Sequence, residues 1–356
     1  MVGKRAAFPH PDALSNDYFN ELSGVDAELA REIVTTALKL GREQVSRLDR
    51  KIVNSALKEM RHAFRVFAPY KGTRKVSIFG SARTKRGDPE YETTREFSHE
   101  IARRGWMVIT GAGPGIMEAG HEGAGGDLSF GANIRLPFEA RPNPVIANDS
   151  KLINFKYFFT RKLTFMKEAD AFVLLPGGFG TMDEAFELLT LVQTGKSDLH
   201  PIVLLDPPGG SYWASFDRYI REELLSRGYV SREDLHLYRC FDDVAAAVEE
   251  IETFHRVYHS QRVVGARLVL RLNALPHEAT LRAISEEFSD VLDAPLHPVP
   301  AAREELRDND VPGLPRVALS FDRQRTGVLR TIIDRLNDLG AELAPPTPAK
   351  GDPTTL

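Results

Sequence analysis

The stretch Pro176-Gly177-Gly178-Phe179-Gly180-Thr181-Met182-Asp183-Glu184 puts three glycines, a hydroxyl and two acids into one short run. Glycine lets backbone N–H groups approach an anion closely. A helix beginning at Thr181 adds orphan donors and the positive end of its dipole, so the run suits a phosphate. Glu184 falls in the first turn of that helix, beside whatever the loop holds. An acid there can do chemistry, or it can simply complement the dipole. Upstream, Arg161 and Lys162 interrupt the segment Asn154–Met166, whose apolar residues otherwise go nearly all round. A cation in such a segment snorkels to solvent, pairs with an acid or meets a ligand. Gly80-Ser81-Ala82-Arg83 offers a close backbone approach, a hydroxyl and a guanidinium. Gly111-Ala112-Gly113-Pro114-Gly115 is a second glycine-rich loop, and Leu136-Pro137-Phe138-Glu139 adds a further acid. Taken singly, each of these reads as turn chemistry.

These groups need a frame that brings them to one edge. From Lys75 onward short apolar runs alternate with helical patterns, the signature of βαβ units and a parallel sheet. The expected strands are Val76–Phe79, Met107–Thr110, Leu128–Ile134, Ala171–Leu175, Ile202–Leu205 and Leu235–Cys240. The expected helices are Glu90–Arg104, Gly115–Ala124, Phe155–Lys167, Thr181–Gln193, Trp213–Arg227 and Asp242–Tyr258. The fold class is α/β, a doubly wound, Rossmann-like and mainly parallel sheet, in which ligands lie outside the carboxyl ends of the strands. Each glycine or acid group above follows an expected strand. Residues 1–70 read as an N-terminal helical extension, stopped at Pro69, and 71–263 as the nucleotide-binding domain. Residues 264–343 read as a small βαβα domain containing the turn-rich stretch Pro295–Pro300, and 344–356 as a loose tail. The appended domain is a candidate for binding an effector, with no catalysis expected of it.

Composition narrows the function classes. The chain has 356 residues, 42% hydrophobic and 27% charged, with a formal net charge of −4, which gives no reason to expect a nucleic-acid polymer as partner. The single cysteine, Cys240, excludes an intrachain disulfide framework and agrees with a reducing compartment. No apolar run approaches membrane-span length and the N-terminus lacks a signal-peptide core, so the expected setting is cytoplasmic, away from membranes. The glycine loop at Gly111 departs from a dinucleotide fingerprint: its third glycine comes one position early and it follows the second strand. The sequence contains no H-E-x-x-H, G-x-S-x-G or P-loop motif and no Cys/His ligand cluster. His255 and His259, on one face of an expected late helix, lack a third ligand, so neither metal nor cofactor is expected.

Pro176–Glu184 fits the PGGxGTxxE motif of the LONELY GUY family, and Arg161-Lys162-Leu163-Thr164-Phe165-Met166 resembles that family's upstream RKxxM element with its methionine one residue later, the two occurring in the family's order and spacing. The resemblance runs from about Val76 to Tyr258. It implies a cytokinin riboside 5′-monophosphate phosphoribohydrolase or a related enzyme that cleaves the base from an ordinary nucleoside monophosphate. Some similar proteins are described as molybdenum-cofactor carriers. Carried over by position, the resemblance makes Arg161 and Glu184 catalytic and makes Gly177, Gly178, Gly180 and Thr181 the phosphate loop. It makes Lys162 a substrate contact and Glu139 a ribose or base contact. Ser81 and Gly113, after the first and second strands, complete the expected binding set. It also implies a homodimer or larger even homo-oligomer. Gly80-Ser81-Ala82-Arg83 and Ala112 depart from the compact plant-type pattern, which bears on base selectivity more than on the reaction.

Hydrolysis of an N-ribosyl bond builds positive charge on the anomeric carbon as the base leaves. A carboxylate one turn beyond a loop holding the 5′-phosphate is placed to stabilise that charge or to orient the attacking water. Arg161 stays protonated, so its part is to hold a phosphate or hydroxyl or to fix Glu184. The competing reading is a non-catalytic nucleotide or molybdenum-cofactor carrier using the same loop. Retention of both Arg161 and Glu184 favours hydrolysis, since holding a phosphate needs neither. A pyridoxal-phosphate decarboxylase, with Lys162 forming the imine, lacks an acid partner for the pyridine ring.

Overall fold

The computed structural model describes residues 24–135, 141–265, 267–321 and 325–340. The chain divides into two compact units after Arg61. The first holds helix α1 (Gly24–Arg42) and most of α2 (Arg47–Phe67). The rest of the chain opens with β1 (Lys75–Phe79), α3 (Pro89–Arg103), β2 (Met107–Thr110), α4 (Ile116–Ala124), β3 (Ser129–Ile134) and β4 (Leu152–Phe155). It continues with α5 (Phe158–Glu168), β5 (Ala171–Leu174), α6 (Phe179–Gln193), β6 (Ile202–Leu205), α7 (Tyr212–Tyr219), β7 (Arg239–Phe241) and α8 (Val244–Phe254).

The first seven strands form one parallel sheet in the order β4-β3-β2-β1-β5-β6-β7. From β1 the chain winds outward to β4, then returns to β5 on the other side of β1 and winds the opposite way. The reversal falls between β1 and β5, paired Val76 to Ala171 and Phe79 to Leu174. That is where an open α/β sheet leaves a crevice at its carboxyl edge. β1, β2, β5 and β6 are short and buried on both faces, as expected where crossover helices cover a parallel sheet. Alternate residues feed two cores. Val76, Ile78, Val108, Val173 and Val203 pack with Phe97, Ile101 and Ile251 on one side. Phe79, Ile109, Phe130, Phe172 and Leu204 pack with Phe165, Leu188 and Trp213 on the other.

The remainder is β8 (Tyr258–Val264), β9 (Arg267–Leu272), α9 (Glu278–Glu287), β10 (Leu292–Pro298), α10 (Arg303–Arg307), β11 (Arg316–Phe321) and α11 (Thr326–Leu339). Its antiparallel sheet runs β10-β11-β9-β8. One core joins the two sheets: Leu270, Leu272, Ile284, Val317, Ile332 and Leu336 belong to the same buried cluster as Phe172 and Leu204. Polar groups fix the junction. Asn337 Oδ1 accepts from the N–H groups of Val257 and Tyr258 at 2.8 and 3.1 Å, and its Nδ2 donates to the Phe254 carbonyl at 2.7 Å. Arg239 reaches Glu250 and Asp334, both at 2.8 Å, and Arg330 also pairs with Glu250. The Thr326 hydroxyl donates to the Gln193 carbonyl at 2.9 Å, the last residue of α6.

Several expected elements are redrawn. Leu152–Phe155 is a strand, so α5 begins at Phe158 instead of Phe155. The strand expected at Leu235–Cys240 is a 3-10 turn over Glu233–Leu237 followed by β7. The helix expected over Trp213–Arg227 is α7 followed by a π-turn, Ile220–Leu225. The late helix stops at Phe254, and His259 lies on β8, so it shares no helical face with His255. The proline-rich stretch overlaps β10, an edge strand with register shifts, where missing N–H donors are tolerated. No helix among the described residues is long and apolar enough to cross a membrane, and no cluster of metal-ligating side chains occurs among them. The expected tail, 344–356, lies outside the described residues.

Candidate active site

β5 ends at Leu174, and the chain turns at Pro176 into a loop that opens α6 at Phe179. Gly177 has no room for a side chain: a Cβ there would lie 2.1 Å from Thr181 Oγ1 and 3.0 Å from the Ser81 nitrogen. Gly178 and Gly180 differ. A Cβ on either would meet nothing within 4 Å, so these two leave the helix start open to whatever approaches it. Thr181 and Met182 N–H donate to the Gly178 carbonyl at 3.0 and 3.1 Å, so the donors that precede the first helical bond are those of Phe179 and Gly180, the ordinary basis of anion binding at such a terminus. Tyr212 braces the loop from behind, its hydroxyl donating to the Gly177 carbonyl at 2.6 Å.

Ser81 joins three strand ends. Its N–H donates to the Pro176 carbonyl at 3.2 Å, its carbonyl accepts from Ile116 N–H at 3.0 Å, and its Oγ accepts from Arg83 N–H at 3.1 Å. Gly115 (φ 69°) passes so close that a Cβ would lie 2.4 Å from the Ser81 carbonyl. The Gly111–Gly115 loop is held beneath by side chains. Thr110 Oγ1 accepts from Ala112 N–H at 3.0 Å, and Asn143 donates to the Gly113 carbonyl at 3.0 Å. His121 lies 3.0 Å from the Phe130 carbonyl through Nε2 and 3.1 Å from Asn143 Nδ2 through Nδ1. Donation from Nε2 leaves Nδ1 to accept from Asn143. Burial lowers the His121 pKa, keeping the ring neutral, although these hydrogen bonds oppose the shift. Ala112 takes φ 63°, a left-handed conformation unusual for alanine, with its nitrogen and carbonyl both hydrogen-bonded.

The helix starts two residues earlier than the expected Thr181, so Glu184 lies on the second turn of α6, where it is only 5% exposed. Its Oε1 lies 4.0 Å from an Arg161 terminal nitrogen and its Oε2 4.0 Å from Lys162 Nζ. Neither contact is a hydrogen bond, and Oε2 is buried without one. Burial pushes the Glu184 carboxyl up to about 7, against the opposing pull of Lys162 and Arg161. Two cations therefore support the charge while leaving acceptor lone pairs for a ligand or water. Arg161 is stacked between Phe158 and Phe165, 5.1 and 5.8 Å from the ring centres, and its other terminal nitrogen is 3.8 Å from where a Gly111 Cβ would be. It spans from the glycine loop of β2 to the acid of α6.

The structure thus brings together Arg161, Glu184, Gly177, Gly178, Gly180, Thr181 and Ser81, while Gly113 sits in the loop after β2, held by Asn143. Lys162 is also at the centre, but its ammonium is held by Asp183 at 2.8 Å and by Glu187. Burial opposes its charge, and those two hydrogen bonds together with Glu184 raise its pKa. Glu139 lies outside the described residues. Sequence reasoning missed Tyr212, Thr110, His121 and Asn143, which act on backbone groups of the loops and carry no motif. For Asp183 and Glu187 there was a signal: acids one residue before and three after Glu184 on the same helix.

A glycine-rich helix start at the switch point of a parallel sheet, with a buried carboxylate between two cations, is the arrangement of a small-molecule site in an open α/β fold. The chain belongs to the LONELY GUY family, whose model, described as possible lysine decarboxylase, matches residues 113–251. It is 32% identical over 164 residues to the cytokinin riboside 5′-monophosphate phosphoribohydrolase of Mycobacterium tuberculosis, covering 44% of this chain and 82% of that protein. The protein of the same description from Mycobacterium marinum is 31% identical over 159 residues, covering 42% and 78%. The molybdenum cofactor binding protein of Rippkaea orientalis is similar at a TM-score of 0.37 and 17% identity, over 51% of this chain and 96% of that one. A likeness that weak carries no argument about function.

Proposed function

We propose that the chain hydrolyses the N-glycosidic bond of a nucleoside 5′-monophosphate, releasing the free base and ribose 5-phosphate. The observation that carries this reading is Glu184: buried, unpartnered at Oε2, flanked by two cations and one turn beyond the phosphate cradle. With the 5′-phosphate on the N–H groups at the start of α6, the anomeric carbon is only part of a ribose away. As the bond between that carbon and the base breaks, its electron pair leaves with the base nitrogen. The ionised Glu184 then stabilises the oxocarbenium-like carbon. Water adds to that carbon and its proton passes by way of Glu184 to the base. Arg161 holds the carboxylate or a sugar hydroxyl, a task its fixed charge and stacked guanidinium suit. The mycobacterial relatives' descriptions name cytokinin riboside 5′-monophosphates, and these, together with nucleotides like adenosine monophosphate, are the substrates of this reading.

The active form is a homodimer or larger even assembly. Phe158, Phe159, Leu163, Phe179 and Phe186 are exposed on α5 and α6 beside the site, Phe179 at 97%, and a second copy supplies the cover such a patch needs. The single cysteine suits a cytoplasmic setting.

The test is incubation with a panel of nucleoside monophosphates and N6-prenylated adenosine monophosphates, assayed for ribose 5-phosphate. Release that is lost in Glu184→Gln is the expected result. No release from any member, or full activity in that variant, overturns the reading, and nucleotide binding without release favours the carrier.

A further inference from the structure

A cavity of about 750 Å³ opens beside α6, between the ends of β5 and β6. Met182 and Phe186 of α6 line it together with Pro176, Tyr212, Phe216 and Asp206. Residues four apart share a helix face, so Met182 and Phe186 lie on one side, whereas Glu184 is turned from both by roughly 160°. The cavity is therefore separate from the space in front of Glu184.

Its floor is a buried acid. Asp206, directly after β6, is 4% exposed. Its Oδ2 accepts from Trp213 N–H at 2.9 Å, an ordinary role at the start of α7. Oδ1 is buried with no hydrogen-bond partner. A buried carboxylate oxygen left in this way is unfavourable, and a donor supplied by a ligand explains its retention. The chain is folded tightly over the acid: a Cβ on Gly210 would lie 2.8 Å from Asp206 Cβ. Burial raises the Asp206 pKa. The N–H groups of Trp213 and Tyr212 oppose this, and Asp242 and Glu90 reinforce it. Glu90, from the first turn of α3, borders the same cavity.

Negative charge on the floor calls for a cation, and the walls say which kind. Phe186, Tyr212, Phe216 and Tyr219 present aromatic surface, which suits an ammonium with an apolar body better than a hydrated metal ion. We propose that this cavity is a second ligand site, taking an organic ammonium ion whose N–H groups are received by Asp206 Oδ1 and whose apolar body packs on Tyr212, Phe216 and Phe186.

Calorimetric titration of the full chain with phenethylammonium chloride tests this, with 2-phenylethanol as the neutral counterpart. Saturable binding is expected, at least tenfold weaker for the alcohol and at least tenfold weaker in Asp206→Asn and in Ser215→Trp, which fills the cavity from an exposed position. Glu184→Gln is expected to bind as the wild type does. Absence of saturable binding, equal binding of the alcohol, or unchanged affinity in the folded variants overturns the proposal. So does an equal loss in Glu184→Gln, which would merge the cavity with the space in front of that acid. If Asp206→Asn does not fold, Ser215→Trp decides.

Discussion

A carboxylate 5% exposed, with one oxygen unpartnered, weakens the fold that holds it. Glu184 has its pKa raised from 4.5 to about 7, so the folded chain favours the neutral acid more than the unfolded chain does. The penalty is absent near pH 4, where both states are protonated, and complete above about pH 7, where both are ionised. Glu184→Gln is therefore expected to stabilise by roughly 1–3 kcal/mol at pH 8 and negligibly near pH 4, read as melting temperatures at both pH values. The same substitution is expected to lower kcat at least about 100-fold. If the ionised form acts, kcat/KM rises with pH through about 7. Arg161→Met removes one of the supporting cations, so the rising limb should move to higher pH; an unmoved limb in an active variant would mean that Arg161 does not act on Glu184. At this scale the sequence was informative where a side chain itself does chemistry. Glu184 and Arg161 could be picked out by type and spacing, whereas Tyr212 and Asn143 hold backbone carbonyls that any distant donor could reach, and nothing local marks them.

The elements were legible where apolar runs had neighbours to bury them. β1, β2, β5 and β6 fall almost where hydrophobic patterning puts them, because a strand covered on both faces is apolar at every position. β4 was hidden, since Leu152–Phe155 is half-exposed and runs directly into an apolar helix whose pattern absorbed it. β10 was hidden by its own prolines, which an edge strand accommodates. Junctions between elements rest on polar groups that no periodicity reveals. Asn337 is the plainest case: fully buried, it satisfies three backbone groups of Phe254, Val257 and Tyr258. Asn337→Leu fills a similar space but leaves those groups without partners, and a loss of about 2–4 kcal/mol in urea unfolding is expected. A change below about 0.5 kcal/mol would show that α11 is held by packing alone.

Taken whole, the residues from His62 onward behave as one body, because the second sheet completes the core of the first. Removing residues 265–356 uncovers Phe254, Val257 and Tyr258 and strips β8 of its partner β9, so the truncated chain is expected to aggregate or to lose cooperative melting. A soluble, cooperatively folding truncation would refute this. The exposed aromatics of α5 and α6 belong to the same scale: if the proposed assembly forms through them, Phe179→Asp is expected to shift sedimentation to the monomer and to reduce the proposed activity with it. Helix α6 connects these levels. It has 15 residues, the glycine-rich loop opens it, and Thr326 fixes its last carbonyl. One inserted residue would turn one end against the other by about 100° and lengthen the helix by about 1.5 Å. Either Glu184 would leave its cations or Gln193 its clasp. The length of α6 is therefore a ruler set by both sheets, and insertions that spare this protein belong in its loops, such as the turn at Gly195.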